Sequence, residues 1–209
     1  MKQLSQILEA SRWDKSQPHK LIGLHQNLAK HYNNYDEYQE GAIKDYTTDS
    51  KKINSYHWDR REENTSPRNK DTSMENKTQD MDAATDQHRT PHKLTVYSGV
   101  KNDIRDNLDN SSTFKHPAYL STSLNKHEAK FFSNIIPNKN TGNLESHILK
   151  INVPKDHPGA YVEHKSINQG EKEFILPRNT RLNYKGSTTY KKEDTALDND
   201  VVEHNMDII

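Results

Sequence analysis

The apolar residues of this chain change period at Pro91, and that change limits the folds open to it. Before it, Leu21, Leu24 and Leu28 recur at helical spacing, with Ile22, Ala29 and Tyr32 widening the stripe. Leu4, Ile7 and Leu8 fall on one face of a shorter helix. Tyr35, Tyr38, Ala42 and Tyr46 continue the spacing, and Asp49 is placed to cap a further helix carrying Ile53 and Tyr56. After Pro91, Leu94-Thr95-Val96-Tyr97-Ser98 alternates as a strand does. The segments 118–122, 148–153, 160–162, 173–176 and 180–184 read as further short strands, and 127–132 reads as a helix behind the first of them. Pro154, Pro158 and Pro177 mark strand ends. Helices first and short strands afterwards define an α+β fold.

A chain of 209 residues suits one domain, here taken as 1–209. Only 30% of it is hydrophobic and 29% is charged, so either the core is small or part of the chain lies outside it. The stretch from Arg60 to Asp80 holds no aliphatic residue except Met74 and is expected to be a mobile insertion or linker. The expected organisation is a helical part over 1–60, a polar flexible segment over 61–90, a strand-rich core over 91–190 and an acidic tail over 191–209. In that tail only Val201, Val202, Ile208 and Ile209 could dock.

Several functions are excluded on composition. A net charge of +0, with no basic stripe interleaved with aromatics, argues against nucleic-acid binding and against an anionic membrane surface. No apolar run reaches the length of a membrane span, and the N-terminus lacks the apolar core of a signal peptide. With Cys at 0 there are no disulfides or thiolate metal sites, and a cytoplasmic protein is expected. The 7 glycines form neither a phosphate loop nor a dinucleotide fingerprint. The 12 histidines show no metalloprotease spacing at His127-Glu128, and His88 and His92 flank a polar loop, so no metal is expected. Ser121 and Ser123 lack the glycine-flanked elbow of a hydrolase nucleophile.

Two segments do carry chemistry. In Gln169-Gly170-Glu171-Lys172-Glu173, followed by Phe174-Ile175-Leu176, two carboxylates stand two residues apart where a polar loop enters an apolar strand. Extended backbone would point Glu171 and Glu173 the same way. Paired carboxylates repel, and a fold tolerates that best where a positive charge is to be received. Upstream, Tyr119-Leu120-Ser121-Thr122-Ser123 ends another apolar run in a polar triplet.

Together with Tyr97-Ser98-Gly99-Val100, these segments resemble, in order and spacing over about residues 90–185, the mono-ADP-ribosyltransferases of the bacterial exotoxin type and of the T-even phages. The stretch from Ala42 to Thr48 and on through Ile53-Asn54 also looks like the helix that opens the toxin catalytic domain. The resemblance implies N-terminal helices packed on two short-stranded β-sheets. It implies NAD as substrate, no metal, and a protein acceptor with an exposed arginine, with host transcription or translation components as natural targets in a host cytoplasm. Glu173 matches the family's catalytic glutamate, which supports oxocarbenium charge as nicotinamide leaves. Glu171 matches the first acidic position, where glutamate accompanies arginine acceptors because a guanidinium must be oriented and deprotonated. Ser121 would hold the rotamer of Glu173. Thr122 and Ser123 would shape the nicotinamide pocket, Gln169 and Gly170 would form the turn that presents the acceptor, and Phe131 or Phe132 would pack beside the pocket or in the core.

One position departs from the pattern. The family's first-strand arginine, which grips the NAD phosphates, should follow Tyr97, and this chain has Ser98 there. Arg105, Lys101 or Arg89 could supply the charge instead. The chain could otherwise be a weakened or inactive relative that serves as a binding module, or a variant made inactive. Intact glutamates and serines favour a working enzyme with Tyr97, Ser98 and Gly99 at an altered phosphate grip.

Overall fold

The computed structural model describes residues 18–62, 72–195 and 198–209, with the side chains of 18–22, 60–62, 194 and 195 outside that description. The expected helix with Leu4, Ile7 and Leu8, and the side chains of Leu21 and Ile22, lie outside the described residues. Helices α1 (Pro18–His31), α2 (Glu37–Thr48), α3 (Ser50–Glu62) and α4 (Thr72–Gln87) come first. Asp36 and Gln39 form a reciprocal capping box at the start of α2, with bonds of 2.9 and 3.0 Å. Asp49 ends α2, and its carboxylate accepts from Lys52 N at 3.3 Å to open α3. The helical stripes bury Leu28, Tyr32, Tyr35, Ala42, Ile43, Tyr46 and Ile53. Tyr38, expected in the stripe, instead faces solvent.

The strands are β1 (Leu94–Val100), β2 (Thr113–Lys115), β3 (Leu120–Ser123), β4 (Ile135–Pro137), β5 (Leu144–Val153), β6 (Ala160–Tyr161), β7 (Glu173–Leu176), β8 (Arg181–Tyr190) and β9 (Asp200–Ile208). Helix α5 (Lys126–Phe131) follows β3, and α6 (Lys192–Thr195) follows β8. Among the described residues they form one nine-stranded sheet of order β2-β8-β9-β5-β1-β3-β7-β6, with β4 beside the start of β5. The two separate, short-stranded sheets of the expectation are therefore corrected: β5 and β8 run for 10 residues each and β9 for 9. Two halves can still be told apart, because β1 and β3 share the single register pair Tyr97↔Ser123. On its other side β3 pairs along its whole length with β7, and Ser123 at its end lies opposite Glu173 at the start of β7.

Two expectations of disorder or solvation are overturned. Within the 61–90 segment, residues 72–87 form α4, which buries Met74, Thr78, Met81, Ala84 and Thr85 on one face. The polar members of that stripe are threonines whose hydroxyls bond back to Met74 O at 2.8 Å and Met81 O at 3.0 Å. A hydroxyl satisfied inside its own helix can be buried at little cost, so a polar composition hides an apolar face. Asp82 then ties α4 to the sheet, accepting from Tyr119 Oη at 2.7 Å and bidentately from Arg178.

The expected acidic tail is likewise no tail over 200–208. Strand β9 lies between β8 and β5, parallel to β5, with Val201, Val202, Glu203, His204 and Met206 buried. Glu203 is paired with Lys126 and lies 3.5 Å from Lys150, which is how an acidic residue comes to sit inside. Met81→Ala should lower stability by about 2–5 kcal/mol in urea denaturation. A loss near zero would mean that α4 does not pack on the core.

Candidate active site

The site is built on the facing ends of β3 and β7. Phe174 is buried on one side of β7, edge-on to Tyr32 at 6.0 Å between ring centroids and in the space left by Gly159. Anchoring Phe174 there turns Glu173 to the opposite face. Ser121 Oγ donates to Glu173 Oε1. Thr122, on the other side of β3, is buried and donates to Phe174 O, locking the two strands in register. Ser123 Oγ donates to Glu171 O at 2.5 Å and accepts from Asn125 N at 2.8 Å. The serines therefore do separate jobs: Ser121 holds the carboxyl of one glutamate and Ser123 holds the backbone of the other.

Glu173 is 5% exposed. Burial pushes its carboxyl up to about 7; the Ser121 hydrogen bond pulls it down, and the charges of Glu171 and Glu163 add to the rise. Glu171 is half-buried and is also raised, first by burial and then by the neighbouring charges of Glu128 and Glu163. Glu171 in the loop thus feels the charges of Glu128 on α5 and Glu163 after β6, and Glu173 on β7 feels those of Glu171 and Glu163.

Two of these were not singled out in the sequence. Glu163 is buried and accepts from Gly170 N and Lys172 N, each at 2.6 Å. Those bonds hold the turn before β7, where Gly170 has φ +111 and Lys172 φ +49. The expectation that extended backbone aligns the two glutamates is therefore corrected, since Lys172 is left-handed and the glutamates meet across a turn. Nothing in the linear sequence ties Glu163 or Glu128 to this loop. Tyr46 was read only as part of a helical stripe. It is fully buried, receives Asn54 Nδ2 at 3.2 Å, has Ser121 within hydrogen-bonding reach, and is raised by burial and then by the Glu173 charge. Helix α2 also braces the loop, as Asn168 Nδ2 donates to Thr47 O at 3.1 Å.

The remaining candidates are placed as follows. Ser98 is 6% exposed and donates to Ser121 O at 2.9 Å, so its hydroxyl joins β1 to β3. Gly99 faces α5, where a Cβ would sit 2.6 Å from Ser133 N and closer still to Ala129 O; only glycine allows that approach. Tyr97 is half-buried, with Lys126 Nζ 5.9 Å from its ring centre. Gln169 is exposed in the turn. Phe131 and Phe132 are 77% and 58% exposed, which corrects the expectation of a core role for them. Of the cations offered as substitutes for the missing arginine, Arg105 is bound to Asp103 and Arg89 to Asp86, each at 2.9 Å. Lys101 is exposed.

A buried, serine-held carboxyl beside a second one on a braced turn is built to face a cation. Residues 24–204 match the family model described as ADP-ribosyltransferase exoenzyme, and the chain belongs to that family. Family members take NAD as the donor of ADP-ribose, and their reaction needs no metal. The chain is 33% identical over 144 residues to NAD(+)--arginine ADP-ribosyltransferase EFV of Enterococcus faecalis, a match covering 68% of this chain and 28% of that protein. Its fold is similar to that of Plx2a, an ADP-ribosyltransferase toxin of Paenibacillus larvae, with TM-score 0.67, 18% identity and coverage of 91% and 96% of the two chains. It is similar also to the Clostridium limosum C3 exoenzyme, with TM-score 0.68, 17% identity and coverage of 94% and 96%.

The raised carboxyl makes a stability prediction. A glutamate raised from 4.5 to about 7 favours the folded state while protonated and loses that advantage as pH rises through this window. Glu173→Gln should therefore match the parent protein below pH ~4.5 and exceed it by roughly 1–3 kcal/mol at pH 8, read by urea denaturation at both values.

Proposed function

We propose that this protein transfers ADP-ribose from NAD to arginine side chains of other proteins. The observation that carries the reading is the Ser121–Glu173 hydrogen bond with Glu171 presented beside it by the turn that Glu163 holds. In the reaction the bond between ribose C1′ and the nicotinamide nitrogen breaks, and its electron pair leaves with nicotinamide. Ionised Glu173 supports the oxocarbenium character that develops at the ribose. An arginine nitrogen then attacks C1′, and Glu171 orients the guanidinium and takes its proton. The negative charge of Glu128 and Glu163 around Glu171, and of Glu171 and Glu163 around Glu173, supports a cationic acceptor, because it raises the free energy of those two carboxylates until a cation arrives. The arginine in the name of the Enterococcus relative points the same way. A host-protein acceptor, a phage origin and a cytoplasmic site of action belong to this reading and rest on the sequence resemblance alone.

A second reading, an ADP-ribosyltransferase-like binding module without turnover, is favoured by Ser98, which offers the NAD phosphates no charge and is committed to Ser121 O. The two readings separate on NAD and agmatine, a small guanidine acceptor, with products read by mass spectrometry. Under the transferase reading Glu173→Gln should lower both NAD hydrolysis and agmatine transfer by about 10²–10³-fold. Glu171→Gln should keep NAD hydrolysis within about 10-fold while losing transfer by at least about 100-fold. No product from the parent protein would leave the binding module standing.

The pH profile gives a further check. Because Glu173 must be ionised, kcat/KM for NAD should rise with pH through an apparent pKa of about 7. Ser121→Ala removes the hydrogen bond that lowers that value, so its profile should shift to higher pH; an unshifted profile would separate Ser121 from the catalytic carboxyl.

A further inference from the structure

Three donor side chains converge under the turn that leaves β1. Asp103 heads the short 3-10 turn Ile104–Asn107, His147 sits on β5 opposite Val100, and His204 sits on β9 opposite Leu149. One carboxylate oxygen and one nitrogen from each ring all lie within 4.8 Å of one another. His147 Nδ1 and His204 Nε2 are 2.9 Å apart, and His204 Nε2 is 3.9 Å from Asp103 Oδ1. Donors that each stand about 2.0–2.1 Å from a shared ion are about 2.8–3.0 Å apart at a right angle and about 4.0–4.2 Å apart when opposite. Both measured separations fall in that window.

The donor chemistry agrees with the spacing. Two imidazoles and one carboxylate are a common ligand set for divalent transition ions. The histidines are 1% and 0% exposed, so their ring nitrogens face one another and Asp103 inside the protein rather than bulk water. Two imidazoles facing nitrogen to nitrogen can share one proton at most across that contact, and His204 Nδ1 has no hydrogen-bond partner. Sealing such a pair inside the sheet is costly unless its lone pairs are used. Behind His147, Glu145 Oε2 lies 3.5 Å from Nε2, and Asn138 Nδ2 holds Glu145 Oε1 at 2.8 Å. A carboxylate on the far side of a ligating histidine is the usual outer partner of such a ring, and here it lies on the Nε2 side, opposite the Nδ1 that faces His204. Arg105 Nε contacts both oxygens of Asp103 at 2.9 Å. It orients the carboxylate but also opposes an incoming cation, so binding should be weaker than at a closed structural zinc centre.

We propose that Asp103, His147 and His204 bind a divalent transition-metal ion, Zn²⁺ in the first instance, which clasps the turn after β1 to strands β5 and β9. None of the three belongs to the glutamate site, and the ion takes no part in the transfer reaction.

The test uses the untagged full chain, freed of metal with a chelator, then titrated with Zn²⁺ by calorimetry and with Co²⁺ by visible absorption. One equivalent should bind, Co²⁺ should develop the d–d bands of a four- or five-coordinate site, and saturating Zn²⁺ should raise Tm by about 5 °C. His204→Gln and Asp103→Ala should each lose the bands and weaken binding at least about 10-fold. Should His204→Gln fail to fold, as judged by circular dichroism, Asp103→Ala on the less buried turn decides alone. No saturable binding by the parent protein would overturn the proposal. So would binding that survives Asp103→Ala unchanged, which would mark an adventitious ion on other histidines of the 12.

Discussion

The structure depends on a carboxyl group kept where it does not want to be ionised. Glu173 is almost sealed from solvent, and burial outweighs the Ser121 hydrogen bond in setting its proton affinity. The surrounding elements can be understood as what that placement requires. Phe174, wedged on Tyr32 and against Gly159, fixes which way β7 faces. Thr122 and the β3–β7 ladder fix the register, and Tyr46 on α2 closes the site from the helical side. A protonated Glu173 suits the resting fold, and in the proposed reaction a charged one would face a cationic ribose; a midpoint near neutrality would let one side chain serve both.

The loop before β7 follows the same logic. Its backbone takes two left-handed residues, Gly170 and Lys172, and would be free to wander without the two amide bonds to Glu163. Glu163 spends both oxygens on that task, so it adds negative charge to the mouth while holding its shape. Such clustering of like charge raises the energy of the empty site, a familiar exchange of stability for function. The narrow join of the two half-sheets at Tyr97↔Ser123 belongs to the same design, because it sets the middle of β1 beside the end of β3, which in turn pairs with the start of β7.

Much of this site could be read along the chain, and the reason is geometric. Ser121, Ser123, Glu171 and Glu173 sit in short linear motifs at strand ends, where local spacing dictates position. Glu163, Glu128 and Tyr46 reach the site only through tertiary folding, and no local pattern marks them. The fold shows the same division. Helices α2 and α3 carry clear stripes and capping residues, and β1, β5 and β7 alternate or run apolar. Helix α4 was missed because Thr78 and Thr85 complete its buried face, and β9 because Glu203 and His204 are buried with partners from β5 and α5. Composition counts such residues as solvated, whereas pairing lets them be interior. Phe131 and Phe132 err the other way, as aromatic residues left in solvent.

Glu173 holds its proton near neutral pH because it is buried, against the pull of the Ser121 hydrogen bond. The most direct measurement is a pH titration of the glutamate side-chain carboxyl carbons by NMR on carbon-13-labelled protein, with Glu173→Gln used to assign the resonance. One glutamate should titrate with a midpoint of about 7 that moves further up in Ser121→Ala. A Glu173 midpoint at the ordinary value of 4.5 would contradict it, and with it the electrostatic basis of the site.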